Sequence, residues 1–153
     1  MNGMTHKCVM KSEAGLYKIW PDCCDVILQW ICAGLGENTD WIGENYTFGI
    51  SYKDKMVGGL IFNNYRPNVD VWLTIYSTSP RWCSKFVLKY IFKTCFETLN
   101  CRRVNVLVSK SNKRSFDLCR RLGFVKEGFL RQYRENGEDC YIMGMLKKEC
   151  RWL

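Results

Sequence analysis

The sequence predicts a mixed α/β fold, built as one domain over residues 1–153. Three observations carry this. Strand-like runs interleave with helical ones in the order strand, helix, strand pair, strand, helix, strand, helix, strand, strand. Neither repeats nor linkers nor low-complexity tracts interrupt that order. The length holds one real core but not two comfortable ones.

Each element has its own signal. A short strand is expected near His6 to Lys11. Pro21 suits a first helical position, and DCCDVILQWICAGLG then runs as a helix that stops on its glycines. The run YTFGISYKDKMVGGLIF, from Tyr46 to Phe62, reads as two strands around a Lys-Asp-Lys turn. NVDVWLTIYS, from Asn68 to Ser77, is a third strand. SPRWCSKFVLKYIFKTCFETL follows as a helix with an apolar stripe at Phe86, Tyr90, Ile91 and Cys95. RRVNVLVS alternates as a strand. SNKRSFDLCRRLG forms a helix that reaches Gly123, and FVKEGFL and CYIMGML close the chain as strands.

Composition narrows the function classes. Apolar residues make up 47% and charged residues 25%, as in an ordinary globular protein rather than a disordered one. No apolar run approaches the roughly 20 residues of a membrane span, so no membrane partner is expected. The start, MNGMTHKCVMKSEAG, lacks the apolar segment of a secretory signal, and a cytoplasmic location follows. The ten cysteines form no CxxC pair and His6 is the single histidine, so no metal is expected. The cysteines read as reduced, small apolar fillers.

The net charge of +8 is concentrated: Thr78 to Arg121 holds eleven basic residues against Glu97 and Asp117. Such a field suits a polyphosphate or a nucleic-acid backbone. Lys85, Lys89 and Lys93, four apart, equally suit a solvated helix face. Two strand-to-helix junctions fall inside this region. In the first, Arg81 and Lys85 flank a helix start whose amides can face phosphate oxygens. In the second, Ser111 or Asn112 can cap the next helix.

The run N-x-x-S-x-x-L-x-x-R-L-G-F, here Asn112, Ser115, Leu118, Arg121, Leu122, Gly123 and Phe124, resembles the fourth-helix signature of the GNAT superfamily of N-acetyltransferases. The following KEGFLR and the strand ending in GML are similar to the branch that includes ribosomal-protein N-terminal acetyltransferases. The closing ECRWL is similar to tails of acetyltransferase-like proteins of phages and prophages. The resemblance runs from about Val69 to the C-terminus; before Tyr46 it rests on element order.

The resemblance implies a central, mostly antiparallel, splayed sheet flanked by helices, and acetyl-CoA as cosubstrate. The backbone of Ile75, Tyr76 and Ser77 would pair with the pantetheine arm and polarise the thioester carbonyl. The turn Arg81, Trp82, Cys83, Ser84 and Lys85 would hold the pyrophosphate through its amides. Asn112 and Ser115 would contact the pantetheine or the phosphates. The family's phosphate loop carries glycines where this chain has Ser84 and Phe86.

Many family members place a tyrosine just after the position of Leu118 to protonate the departing thiolate; this chain has Cys119. Cys119 is thus a proton donor whose pKa nearby arginines would lower, or else a packing residue. Tyr133 and Tyr141 are the next donors. Asp70 matches a position where relatives often have Glu, and is either a general base or a carboxylate paired with Arg or Lys. The implied activity is acetyl transfer to an amine: a protein N-terminus, a lysine or a small amine. A base-modifying enzyme acting on nucleic acid and a degenerate module that binds CoA or a partner are the competing readings. The oligomeric state stays open.

Overall fold

A computed structural model of the chain describes residues 9–153. It contains an eight-stranded sheet in the order β1-β2-β3-β4-β5-β6-β8-β7, mostly antiparallel and flanked by helices. The strands are β1 (Met10–Lys11), β2 (Tyr17–Pro21), β3 (Asn45–Tyr52), β4 (Lys55–Arg66), β5 (Asp70–Ser77), β6 (Arg103–Ser109), β7 (Val125–Leu130) and β8 (Cys140–Leu146). The helices are α1 (Val26–Leu35), α2 (Lys85–Lys93) and α3 (Lys113–Leu122). The strand expected from His6 lies partly outside the described residues. No helix among the described residues is long and apolar enough to cross a membrane.

The chain forms two compact units: Met1–Asn64 with Thr74–Ile91, and Tyr65–Leu73 with Phe92–Leu153. In the first unit, β2 and β3 pair antiparallel from Tyr17↔Tyr52 to Pro21↔Phe48, and β3 pairs with β4. The β3–β4 turn rests on Lys53 and Asp54, both at positive φ (49° and 61°), as a two-residue hairpin matching strand twist requires. Leu28, Ile31 and Cys32 of α1 pack with Ile42 and Ile61, and Ile27, Trp30 and Tyr76 border that cluster.

Two expectations need correction here. Pro21 does not open a helix; it ends β2, a strand the reading did not anticipate. The helix begins at Val26 after the N-cap residue Asp25, whose side chain makes no capping bond; the carboxylate of Asp22, further upstream, accepts instead from the amides of Ile27 (2.8 Å) and Leu28 (3.0 Å). The buried face of α2 and the π-helical turn after it (Thr94–Thr98) is Val87, Leu88, Ile91, Phe92, Cys95 and Phe96. Phe86 and Tyr90, expected in that stripe, are half-exposed at its margin.

In the second unit, β6 pairs antiparallel with β8 along its whole length, from Arg103↔Leu146 to Ser109↔Cys140. Val104, Val106, Met143 and Met145 are buried there. Phe92 stacks on Phe96 and tilts against Phe124 at 6.1 Å. The chain leaves α3 through Gly123, whose φ of 114° only glycine adopts without strain. Its amide and that of Phe124 return to the carbonyls of Cys119 and Arg120, closing the helix.

Candidate active site

In the first unit, the candidate residues lie on the last half of β5 and the turn beyond it. Ile75, Tyr76 and Ser77 are half-buried, and the Tyr76 ring packs edge-on against Trp30 at 5.1 Å. The turn is a single 3-10 turn, Pro80–Trp82. Its amides are already engaged: Arg81 donates to Ser79 Oγ, Trp82 to the Ser79 carbonyl, Cys83 to that of Pro80 and Ser84 to that of Trp82.

Of the amides expected to face phosphate, those of Arg81, Trp82, Cys83 and Ser84 are thus engaged within the turn. The donors left are the amides of Lys85 and Phe86 at the start of α2, because Ser84 caps the amides of Val87 and Leu88. Trp82 is also no ligand-facing ring: it is 5% exposed and packs on Gly58. Arg81 does reach outward. Its guanidinium lies 4.8 Å over the Tyr52 ring and donates to Tyr52 Oη at 3.3 Å, which holds it extended.

In the second unit, β5 and β6 form a parallel ladder of only three residues, Asp70↔Arg103 to Trp72↔Asn105. Both strands run on beyond it, to Ser77 and to Ser109. A polar chain with buried Asp70 and Asn105 at its centre secures this ladder. Arg66 grips Asp70 with two hydrogen bonds of 2.6 and 2.9 Å, and Asn105 Nδ2 adds a third at 2.8 Å. Arg103 Nε in turn donates to Asn105 Oδ1 at 2.6 Å and pairs with Glu127.

The hydrogen bonds from Arg66 hold the Asp70 carboxyl below its ordinary pKa against the opposing cost of burial. A carboxylate held by three donors, with its pKa lowered, is a weak base. The ion-paired alternative is the arrangement present.

On α3, Asn112 is the N-cap, its Oδ1 accepting from the Ser115 amide at 3.1 Å. That oxygen and that amide are therefore satisfied within the helix. Cys119 lies two turns on. Burial pushes its thiol up to about 11, contrary to the expectation that the exposed Arg120 and Arg121 would lower it. Phe116, three residues before Cys119 on the same helix, meets Tyr141 at 4.9 Å, so Tyr141 and α3 are brought together. Tyr133 is not drawn in: it stands 51% exposed in the β7–β8 loop.

That loop is nevertheless tied to the start of α3. Glu138 accepts from the Ser111 amide at 2.7 Å, and Arg134 donates to Ser109 Oγ at 3.1 Å. Donors from Ser111 lower the Glu138 pKa. Glu138 and Arg134 escaped the sequence reading because nothing local marks a contact made 25 or more residues away.

No family model and no curated protein matches the chain. Solved structures do. One, assigned but not demonstrated to be an acetyltransferase, superposes with a TM-score of 0.73 at 19% identity over 92% of this chain and 87% of its own. A mutant of spermidine N-acetyltransferase SpeG from Vibrio cholerae gives 0.69 at 15% identity, over 90% and 96%. An acetyltransferase of the GNAT family from Bacillus anthracis gives 0.58 at 17% identity, over 67% and 67%. The fold is the GNAT acetyltransferase fold. Within it, the motif that suggested the resemblance is α3 with both of its ends: Asn112 at the N-cap, Leu122 buried, Gly123 at the C-cap and Phe124 in the core.

Proposed function

We propose that the chain is an acetyl-CoA-dependent N-acetyltransferase that acetylates a small cationic amine by direct attack in a ternary complex. The observation that carries this reading is the short β5–β6 ladder. Both strands outrun their three paired residues, so β5 has backbone groups to offer an extended ligand such as a pantetheine arm. The GNAT fold supports the same assignment.

The roles divide as follows. Arg81 and the amides of Lys85 and Phe86 meet phosphate oxygens. A backbone amide in the Ile75–Ser77 stretch polarises the acetyl carbonyl. The ammonium gives up one proton to water, its nitrogen bonds to the acetyl carbon, the carbon–sulfur bond breaks, and the second proton leaving the nitrogen replaces the one the donor gives to sulfur. Cys119 or Tyr141 returns a proton to the departing sulfur. Asp70 belongs to the frame rather than to the proton path.

The acceptor class rests on charge. Residues 19–52 contain five carboxylates and no Lys, Arg or His. Asp22 accepts from α1 amides, while Asp25, Asp40 and Glu44 are exposed, as are the rings of Trp41 and Tyr46, which neighbour Asp40 and Glu44 in sequence. Such a surface attracts a protonated amine through charge and ring faces. That some proteins of this fold are spermidine N-acetyltransferases agrees with the choice.

The test is calorimetric titration with acetyl-CoA, followed by radiolabelled acetyl transfer to polyamines, peptides and DNA. Polyamine labelling is expected. Arg81→Ala is expected to weaken acetyl-CoA binding several-fold, since a charge-assisted hydrogen bond contributes about 1.5 to 3 kcal/mol before solvent screening reduces it. The engaged turn amides favour a second reading, a module that no longer binds CoA; absence of any heat on titration selects it.

A further inference from the structure

A basic groove lies in the second unit. Val69, Arg102, Arg103, Leu146, Lys147 and Lys148 line a groove of 470 Å³. Arg103 opens β6, whereas Asn112 follows its end, about 20 Å away at the rise of an extended strand. Backbone bonds fix the groove. The amides of Arg102 and Arg103 both donate to the Val69 carbonyl (2.9 and 3.2 Å), and the Lys147 amide donates to that of Arg102 (3.0 Å). Arg102 Nε donates to the Asn68 carbonyl at 3.1 Å, which orients the guanidinium and leaves its terminal nitrogens available.

The nearby carboxylates are committed. Asp70 is held by Arg66, Glu127 by Arg103, and Glu149 by the Leu146 amide at 2.9 Å. Arg102, Lys147 and Lys148 therefore remain as exposed cations without an ion-pair partner among the described residues. Three like charges gathered by rigid backbone repel one another, and an anion relieves that repulsion. The floor, Val69 and Leu146, is apolar and half-buried.

We infer that this groove is a separate site for the phosphates of a nucleotide, either free or within single-stranded nucleic acid. Arg102 supplies a planar fork and the two lysines supply point charges, a set that matches neighbouring phosphate oxygens. The apolar floor accommodates the face of a base or a sugar. Lys147 and Lys148 come from outside the basic stretch of the sequence, so the groove exists only in the folded chain. The site does not depend on the acetyl-transfer reading.

The test measures binding of pyrophosphate, ADP and a single-stranded oligothymidylate to the full chain by calorimetry and fluorescence anisotropy. The double variant Lys147→Ala, Lys148→Ala is compared with the charge-matched control Lys53→Ala, Lys55→Ala. The groove variant is expected to lose about tenfold or more in affinity, and its salt dependence to flatten by about 1.4 in slope, the loss of two contacts to a single strand. The control is expected to keep its affinity, and both variants to keep theirs for acetyl-CoA. ADP binding without oligonucleotide binding identifies a free nucleotide as the source, and the converse identifies nucleic acid. Equal losses in both variants, no binding by the wild type, or loss of acetyl-CoA affinity in the groove variant overturns the inference.

Discussion

Cys119, two turns into α3, is one of two candidate donors to the departing sulfur. Its neighbours in sequence, Arg120 and Arg121, suggest a lowered thiol pKa, yet desolvation raises it to about 11. At neutral pH the thiol is protonated, but transfer of its proton to a sulfur of ordinary thiol pKa, about 8.5, is uphill, which makes it a poor donor. If it serves as the donor, Cys119→Ala should cut turnover roughly ten- to a thousandfold with acetyl-CoA affinity unchanged. The pH–rate profile of the unsubstituted protein should then show no alkaline fall from this group until near the folded pKa of about 11. Full turnover in the Ala variant transfers the role to Tyr141, tested by Tyr141→Phe. Asp70 carries a different expectation. Its folded pKa lies below the unfolded value of about 3.9, so its contribution is complete above that value and is lost as pH falls below it. Asp70→Asn should therefore lower stability at neutral pH by about 2 kcal/mol and flatten the acid limb of the unfolding curve. A variant with an unchanged limb would show that the Arg66 pair contributes nothing to folding.

The elements legible in the sequence were those whose signals are local. The β3–β4 hairpin, β6, and α3 from its Asn112 cap to Gly123 all appear where their residues place them. β2 did not, because YKIWP is held by a register with β3 more than 25 residues away, and Pro21 at its end mimics a helix start. In the α2 stripe, Ile91 and Cys95 are buried as expected but Phe86 and Tyr90 are not, because KFVLKYIF is apolar at too many positions for periodicity to select one face. Gly34 carries a constraint that no local pattern reveals: a Cβ there would fall 2.2 Å from Tyr76 Cζ. Ala at a helix interior gains up to about 1 kcal/mol over Gly, whereas overpacking costs about 1 to 3 kcal/mol. Gly34→Ala should thus be net destabilising, by about 1 kcal/mol in chemical denaturation. A more stable variant would mean that the Tyr76 ring swings aside. Asn112→Ala should cost about 1 kcal/mol through its cap. A melting temperature that falls while acetyl-CoA affinity holds would confine Asn112 to capping.

At the scale of the whole molecule, charge is segregated along the chain: the net +8 coexists with a 34-residue span, 19–52, that has five acids and no base. Opposite fields of this kind suit a reaction between a polyphosphate cosubstrate and a cationic acceptor, because each attracts one reactant and repels the other. The consequence is measurable through screening, since the Debye length shrinks from about 10 Å at 0.1 M salt to about 3 Å at 1 M. Over that interval kcat/KM for a triamine should fall by about an order of magnitude, carried by KM, while a monoamine should respond far less. Asp40→Asn combined with Glu44→Gln should reproduce most of that loss at low salt, and the residual salt dependence should shrink to match. Both side chains are exposed, so the variant should fold normally. If triamine and monoamine respond alike to salt, or the double variant keeps its triamine KM, the acidic span does not select the acceptor.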